Sequence, residues 1–147
     1  MKALYFDEVV LGEERLSDEY HVPEEEAIEF ARKWDPQPFH INEQAARDSI
    51  YGRLTISACH TISISFLLFN HTWGKLVVIG GLEWNSVRFS NPVHPGDRLT
   101  MAARCIDKRE SNSDPNRGIL WFSNEMNNQR GESVLTYTMI FIVAKRP

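Results

Sequence analysis

The stretch "TISACHTISISFLLFN", Thr55 to Asn70, constrains the fold more than any other part of the chain. It is apolar almost all round, with small residues mixed among large ones, and Gly74 follows as a stop. Thr55 or Ser57 can cap its start, because a side-chain hydroxyl oxygen accepts from a free amide of the first turn. A helix with no polar face cannot lie on a surface, so other elements must enclose it. The stretch therefore predicts a helix buried on most sides.

The sequence that follows supplies the enclosure. Segments 76–79, 82–90, 98–106, 118–128 and 133–144 are rich in β-branched and aromatic residues, which suit a pleated sheet. Within one of them Leu99, Met101, Ala103 and Cys105 fall on one face, and Thr100 and Arg104 on the other. Turn signals divide the segments: "GG" at 80–81, "HPGD" at 94–97, "SNSDPNRG" at 111–118 and "NQRGE" at 128–132. The pattern predicts an α+β architecture, an antiparallel sheet of four or five strands curled around one long helix. With 147 residues, 42% of them hydrophobic, the chain can bury a core of its own. No repeat or low-complexity linker interrupts it, so residues 1–147 are expected to form a single domain.

Charge and cysteine usage narrow the function. A net charge of -4, without a run of Lys and Arg interleaved with aromatics, argues against a nucleic-acid partner. The nearest basic cluster, "DKRE" at 107–110, carries its own acids and reads as a solvated turn. Cys59 and Cys105 have no partner spacing and are expected to be buried, reduced packing residues. The first residues, "MKALYFDEVVLG", lack the apolar core of a signal peptide, and "ISISFLLF" and "MIFIVA" fall far short of the roughly 20 residues of a membrane span. A soluble, cytoplasmic protein is expected.

Chemistry enters at "WDPQPFH", Trp34 to His40. Pro23 with Glu24, Glu25 and Glu26 marks a helix start, and Ala27, Phe30, Ala31 and Trp34 continue as one apolar stripe. Pro36 bars Asp35 from continuing that helix. An acid and an imidazole, Asp35 and His40, thus stand five residues apart on backbone stiffened by two prolines. Fixed φ angles hold relative geometry, and an error of about 1 Å between reacting groups costs roughly 100-fold in rate. Histidine changes charge near neutral pH, as a general base must. A second, short polar helix is expected within "INEQAARDSI", with Asn42 as its cap.

These elements, in this order, resemble the hot-dog fold, and within it the MaoC-like, (R)-specific enoyl-CoA hydratase family. "FARKWDPQPFH" is similar to the family's helix, Asp, Pro-containing loop and His. "YGRLTISACHT" resembles its turn into the central helix, "RFSNPVHPGDRL" its following strand and turn, and "NQRGESVLTYTMIFIVAKRP" its last hairpin. The likeness covers nearly the whole chain. It departs at Gln37, where many members have Asn, and at Ala58, where the family has Gly. The resemblance implies a hydratase or dehydratase of fatty acid metabolism, acting on trans-2-enoyl or 3-hydroxyacyl thioesters. Asp35 and His40 would hold one water that supplies both hydroxyl and proton to the same face of the double bond. The backbone N–H of Ala58, at the positive end of the central helix, would donate to the charge that builds on the thioester oxygen. Gln37 and Ser57 would orient the site. The resemblance further implies a homodimer, no metal and no redox cofactor, with coenzyme A or a carrier arm arriving as part of the substrate.

Two rival functions remain open. Hot-dog thioesterases commonly project a carboxylate from the central helix, and Thr55 to Asn70 contains no Asp or Glu. The other rival is a non-catalytic acyl-thioester-binding module, which would have no need of both Asp35 and His40. A serine hydrolase is excluded by the lack of a G-x-S-x-G elbow. His60 is expected to be a satisfied core histidine, and His21, His71 and His94 surface or turn residues. No two of the five histidines stand at metal-ligand helical spacing. Trp34, Trp73, Trp84 and Trp121 read as core or interface. Asn85, Arg88 and Arg53 are candidate contacts for coenzyme A phosphates, indistinguishable by sequence from ordinary surface groups.

Overall fold

The computed structural model describes residues 2–147. A 3-10 turn at Phe6–Glu8 leads into two short strands, β1 (Glu14–Leu16) and β2 (Tyr20–His21). Four helices follow: α1 (Glu24–Trp34), α2 (Pro38–Ile41), α3 (Glu43–Arg47) and α4 (Ala58–Trp73). The chain ends in four long strands, β3 (Val78–Arg88), β4 (Arg98–Glu110), β5 (Arg117–Asn127) and β6 (Ser133–Ala144). These strands pair antiparallel, in the order β1-β4-β5-β6-β3, with β2 also alongside β4, and Leu4 forms an isolated parallel bridge with Leu76.

The sheet folds over α4 because its strands alternate. Leu99, Met101, Ala103 and Cys105 of β4 point inward, as do Leu120, Phe122 and Met126 of β5 and Leu135, Tyr137, Met139 and Val143 of β6. They meet Ile64, Leu68, Phe69 and Trp73 of α4, and the Trp73 indole N–H donates to the Ala103 carbonyl at 3.1 Å. A buried indole nitrogen must find an acceptor, and here the sheet backbone supplies it. Arg15 covers the other side of Trp73, its guanidinium 3.9 Å from the ring centroid.

Several expectations need correction. The central helix begins at Ala58, with Ser57 as its cap, and only one side is buried. Leu67 is 43% exposed and Cys59 is exposed, contrary to the enclosed helix and buried cysteine the sequence suggested. A single sheet curls around one side of a helix and leaves the opposite face uncovered. The "GG" at 80–81 is not a turn. β3 runs straight through it, with register shifts on either side of the pair. Glycine within a strand marks bulges as well as turns. "DKRE" is the end of β4 rather than a loop. Residues 38–41 form a helical turn, so His40 stands on helix where a stiff loop was expected. Trp73 is buried, but Trp34 is 66% and Trp84 51% exposed. The short helix is present as α3, and Asn42 Oδ1 accepts from the Ala45 amide at 2.9 Å. Among the described residues no helix is long and apolar enough to cross a membrane.

Candidate active site

The site forms where α1, α2 and α4 converge. Asp35 caps the C-terminus of α1, its amide donating to the Ala31 carbonyl at 2.8 Å. Pro36 prevents a further turn and Pro38 opens α2, so the chain reverses within a few residues. The Gln37 amide donates to the Asp35 carbonyl and the His40 amide to the Gln37 carbonyl, which ties the acid to the imidazole through backbone.

His40 is buried, with Nε2 at 3.4 Å from Asp35 Oδ2. Its other nitrogen, Nδ1, lies 2.6 Å from the Thr55 carbonyl oxygen. A carbonyl can only accept, so Nδ1 carries the hydrogen and the neutral ring presents a bare Nε2 toward Asp35. Two acceptors then face each other at a separation longer than the roughly 2.7–2.9 Å of a charge-assisted bond. Phe39 packs edge-on against the imidazole, with ring centroids 4.4 Å apart.

Ser57 joins this pair to α4. Its Oγ–H donates to Asp35 Oδ2 at 2.7 Å, while Oγ accepts from the Cys59 amide at 3.2 Å. The hydroxyl is a helix cap and a carboxylate ligand at once. Ala58, the first residue of α4, has an N–H with no acceptor inside the helix, at its positive end. Asp35, Gln37, His40 and Ala58 line one open cavity of about 460 Å³, with Tyr51 and Phe89 at its exposed rim.

The structure thus brings Asp35, Gln37, His40, Ser57 and Ala58 together. Sequence reasoning missed the Thr55 carbonyl, which no side-chain pattern can reveal. It also misplaced His94, which is buried, its Nδ1 2.7 Å from the Leu54 carbonyl. Arg53, Asn85 and Arg88 do not line the cavity. His60 is buried as expected but is not satisfied: Nδ1 has no hydrogen-bond partner among the described residues, and Nε2 is 4.0 Å from Glu26 Oε1. Burial holds its pKa below the ordinary histidine value, against the opposing pull of Glu26. The ring stacks on Phe30, with centroids 4.6 Å apart. Among the described residues no group of three His, Cys, Asp or Glu side chains has the arrangement of a metal site.

The MaoC like domain profile matches residues 8–118. Uncharacterized protein YdeM of Bacillus subtilis is 29% identical over 110 residues, 74% of this chain and 77% of that protein. Mesaconyl-CoA hydratase of Cereibacter sphaeroides is 33% identical over 86 residues, 54% of this chain but only 25% of the relative's length. Among solved structures, a MaoC-like dehydratase from Rhodospirillum rubrum superposes with a TM-score of 0.86 at 31% identity, covering 99% of both chains. A conserved Mycobacterium tuberculosis protein with a double hot-dog fold has the same TM-score at 12% identity, covering 99% of this chain and 45% of that one. With the profile matching most of its length, and its sheet curled around α4, this chain belongs to the MaoC-like domain family and has the hot-dog fold.

Proposed function

We propose that the chain adds water to trans-2-enoyl thioesters, and by the reverse reaction dehydrates (3R)-hydroxyacyl thioesters, with acyl-CoA as the substrate form. The observation that carries this reading is His40 Nε2 lying 3.4 Å from Asp35 Oδ2, beside the Ala58 N–H in the first turn of α4. Membership of a family that includes a mesaconyl-CoA hydratase and a MaoC-like dehydratase supports the reaction class.

The chemistry runs from the geometry. The pair holds one water, and Nε2 takes a proton from it as the oxygen attacks the β-carbon of the enoyl group. Electron density moves through the α-carbon to the thioester oxygen, which accepts a hydrogen bond from the Ala58 N–H. Losing a donor of this kind typically costs on the order of 10²–10³ in rate. The imidazolium then returns the proton to the α-carbon from the side the water occupied, so hydroxyl and hydrogen add to the same face. Asp35 stabilises the imidazolium, and Ser57 keeps the carboxylate turned toward it. Gln37 borders the same cavity and orients the thioester. No metal or redox group is needed for this step, since coenzyme A enters with the substrate.

The test is loss of the conjugated-enoyl absorbance of crotonyl-CoA with wild type, Asp35→Asn and His40→Ala. Wild type should consume it, and each folded variant should lose about 10²-fold or more. A wild-type protein that leaves crotonyl-, longer and branched enoyl-CoAs untouched would overturn the reading.

A further inference from the structure

His40 owes its tautomer to a stretch of backbone, and that backbone is held on both sides. On one side the Thr55 carbonyl takes His40 Nδ1–H at 2.6 Å, and the Thr55 amide reaches the Phe39 carbonyl at 3.4 Å. On the other, the Leu54 carbonyl takes His94 Nδ1–H at 2.7 Å, and the Ile56 amide donates to the Val93 carbonyl at 2.9 Å. Two histidines therefore grip consecutive carbonyls of one segment. Both must carry hydrogen on Nδ1 when neutral, since a carbonyl cannot donate.

His94 is itself braced. Its amide donates to Asp97 Oδ2 at 2.9 Å, and Asp97 is 3% exposed. Asp97 Oδ1 accepts from Gln129 Nε2 at 3.0 Å, and Gln129 Oε1 accepts from the Arg98 amide at 3.0 Å. Gly96, at φ +89, closes the turn in the left-handed region that glycine adopts without strain. A continuous chain of bonds thus runs from the β5–β6 hairpin to the ring of His40.

We propose that His94 is a positioning residue for the hydration site. Held by Asp97, its Nδ1–H sets the segment whose Thr55 carbonyl keeps the bare Nε2 of His40 facing Asp35. The inference rests on the hydratase reading for its effect on rate, but not for its effect on the His40 tautomer. It touches no substrate. Its loss would let the segment drift, and displacements of about 1 Å at such a site cost roughly 100-fold.

The experiment compares wild type, His94→Leu and His94→Asn by nitrogen-15 spectra of the imidazoles and by steady-state kinetics on enoyl-CoA. Leucine removes the donor, whereas the Asn amide places an N–H where Nδ1–H stood. In wild type, neutral His40 and His94 should both be protonated on Nδ1. His94→Leu should mix the His40 tautomers and lower kcat at least about 10-fold with KM nearly unchanged, and His94→Asn should restore both. The proposal falls if wild-type His94 is protonated on Nε2. It falls too if folded His94→Leu keeps the His40 signature and kcat, or if His94→Asn is as altered as His94→Leu. Should the leucine variant not fold, the wild-type and His94→Asn spectra still decide. Should wild type hydrate no enoyl thioester, the hydratase reading fails while the spectra alone judge the clamp.

Discussion

At the scale of single residues, the site reuses each polar group more than once. The Ser57 hydroxyl caps α4 and donates to Asp35, so Ser57→Ala removes two interactions together. We expect a stability loss of about 1 kcal/mol, read as a lower urea midpoint, from the cap alone. A roughly 10-fold fall in kcat should accompany it, because the carboxylate loses the bond that aims it. His60 predicts a pH effect. The folded chain resists protonating its buried ring, so below the ordinary imidazole value the unfolded state binds more protons. Its contribution is fully present above about pH 6.5 and is lost as pH falls below that. His60→Leu, which also removes an unpartnered buried nitrogen, should flatten the decline in melting temperature on that acid side. An unchanged acid limb in the variant would show that other groups set it. The spacing of Asp35 and His40 is legible in the chain, as is a cap at Thr55 or Ser57, of which the structure uses Ser57. The burial of His94 is not, because "HPGD" reads as a turn whether or not its histidine faces inward.

At the scale of elements, period-two alternation located β4, β5 and β6 to within a few residues, because inward and outward positions differ sharply in polarity. β3 was harder to read. It was divided at Gly80–Gly81, although the strand continues through bulges there. β1 and β2 were too short to leave a pattern. Close approach of elements was equally hidden, and Gly118 shows how it matters. A Cβ at that position would lie 2.4 Å from the Phe6 ring, within the 3-10 turn packed on β5. Gly118→Ala should cost about 1–3 kcal/mol by overpacking, seen as a lower urea midpoint, with the kcat of the folded protein preserved. Phe6→Leu in the same chain should recover part of the loss.

At the scale of the whole molecule, one edge of the sheet is left open. β3 exposes Val78, Ile79, Leu82, Trp84 and Val87, and Leu67 on the uncovered face of α4 is also exposed. An edge strand with free backbone groups and apolar side chains favours pairing with another strand. We propose that a second copy occupies it, giving a homodimer. Light scattering should then report twice the 17.0 kDa chain mass. Lysine at both Ile79 and Leu82 should shift the protein toward monomer. A wild-type mass of one chain would sink the proposal. Such a pairing would also give a physical reason why α4 is apolar nearly all round while this chain alone buries only one side of it.

The amino-acid sequence by itself determined the local and periodic features. It set a long apolar helix, alternating strands, helix stops at prolines, and an acid and a histidine joined by stiff backbone. Each depends on residues near one another in the chain, where steric limits and side-chain period act directly. Only the tertiary structure decided which carbonyls hold the histidines, that Ser57 reaches Asp35, and which side of α4 is covered. Those contacts join residues far apart in the chain, as His94 with Leu54 and Phe69 with Phe141. They are set by where the sheet and the helices come to rest, which no short spacing encodes.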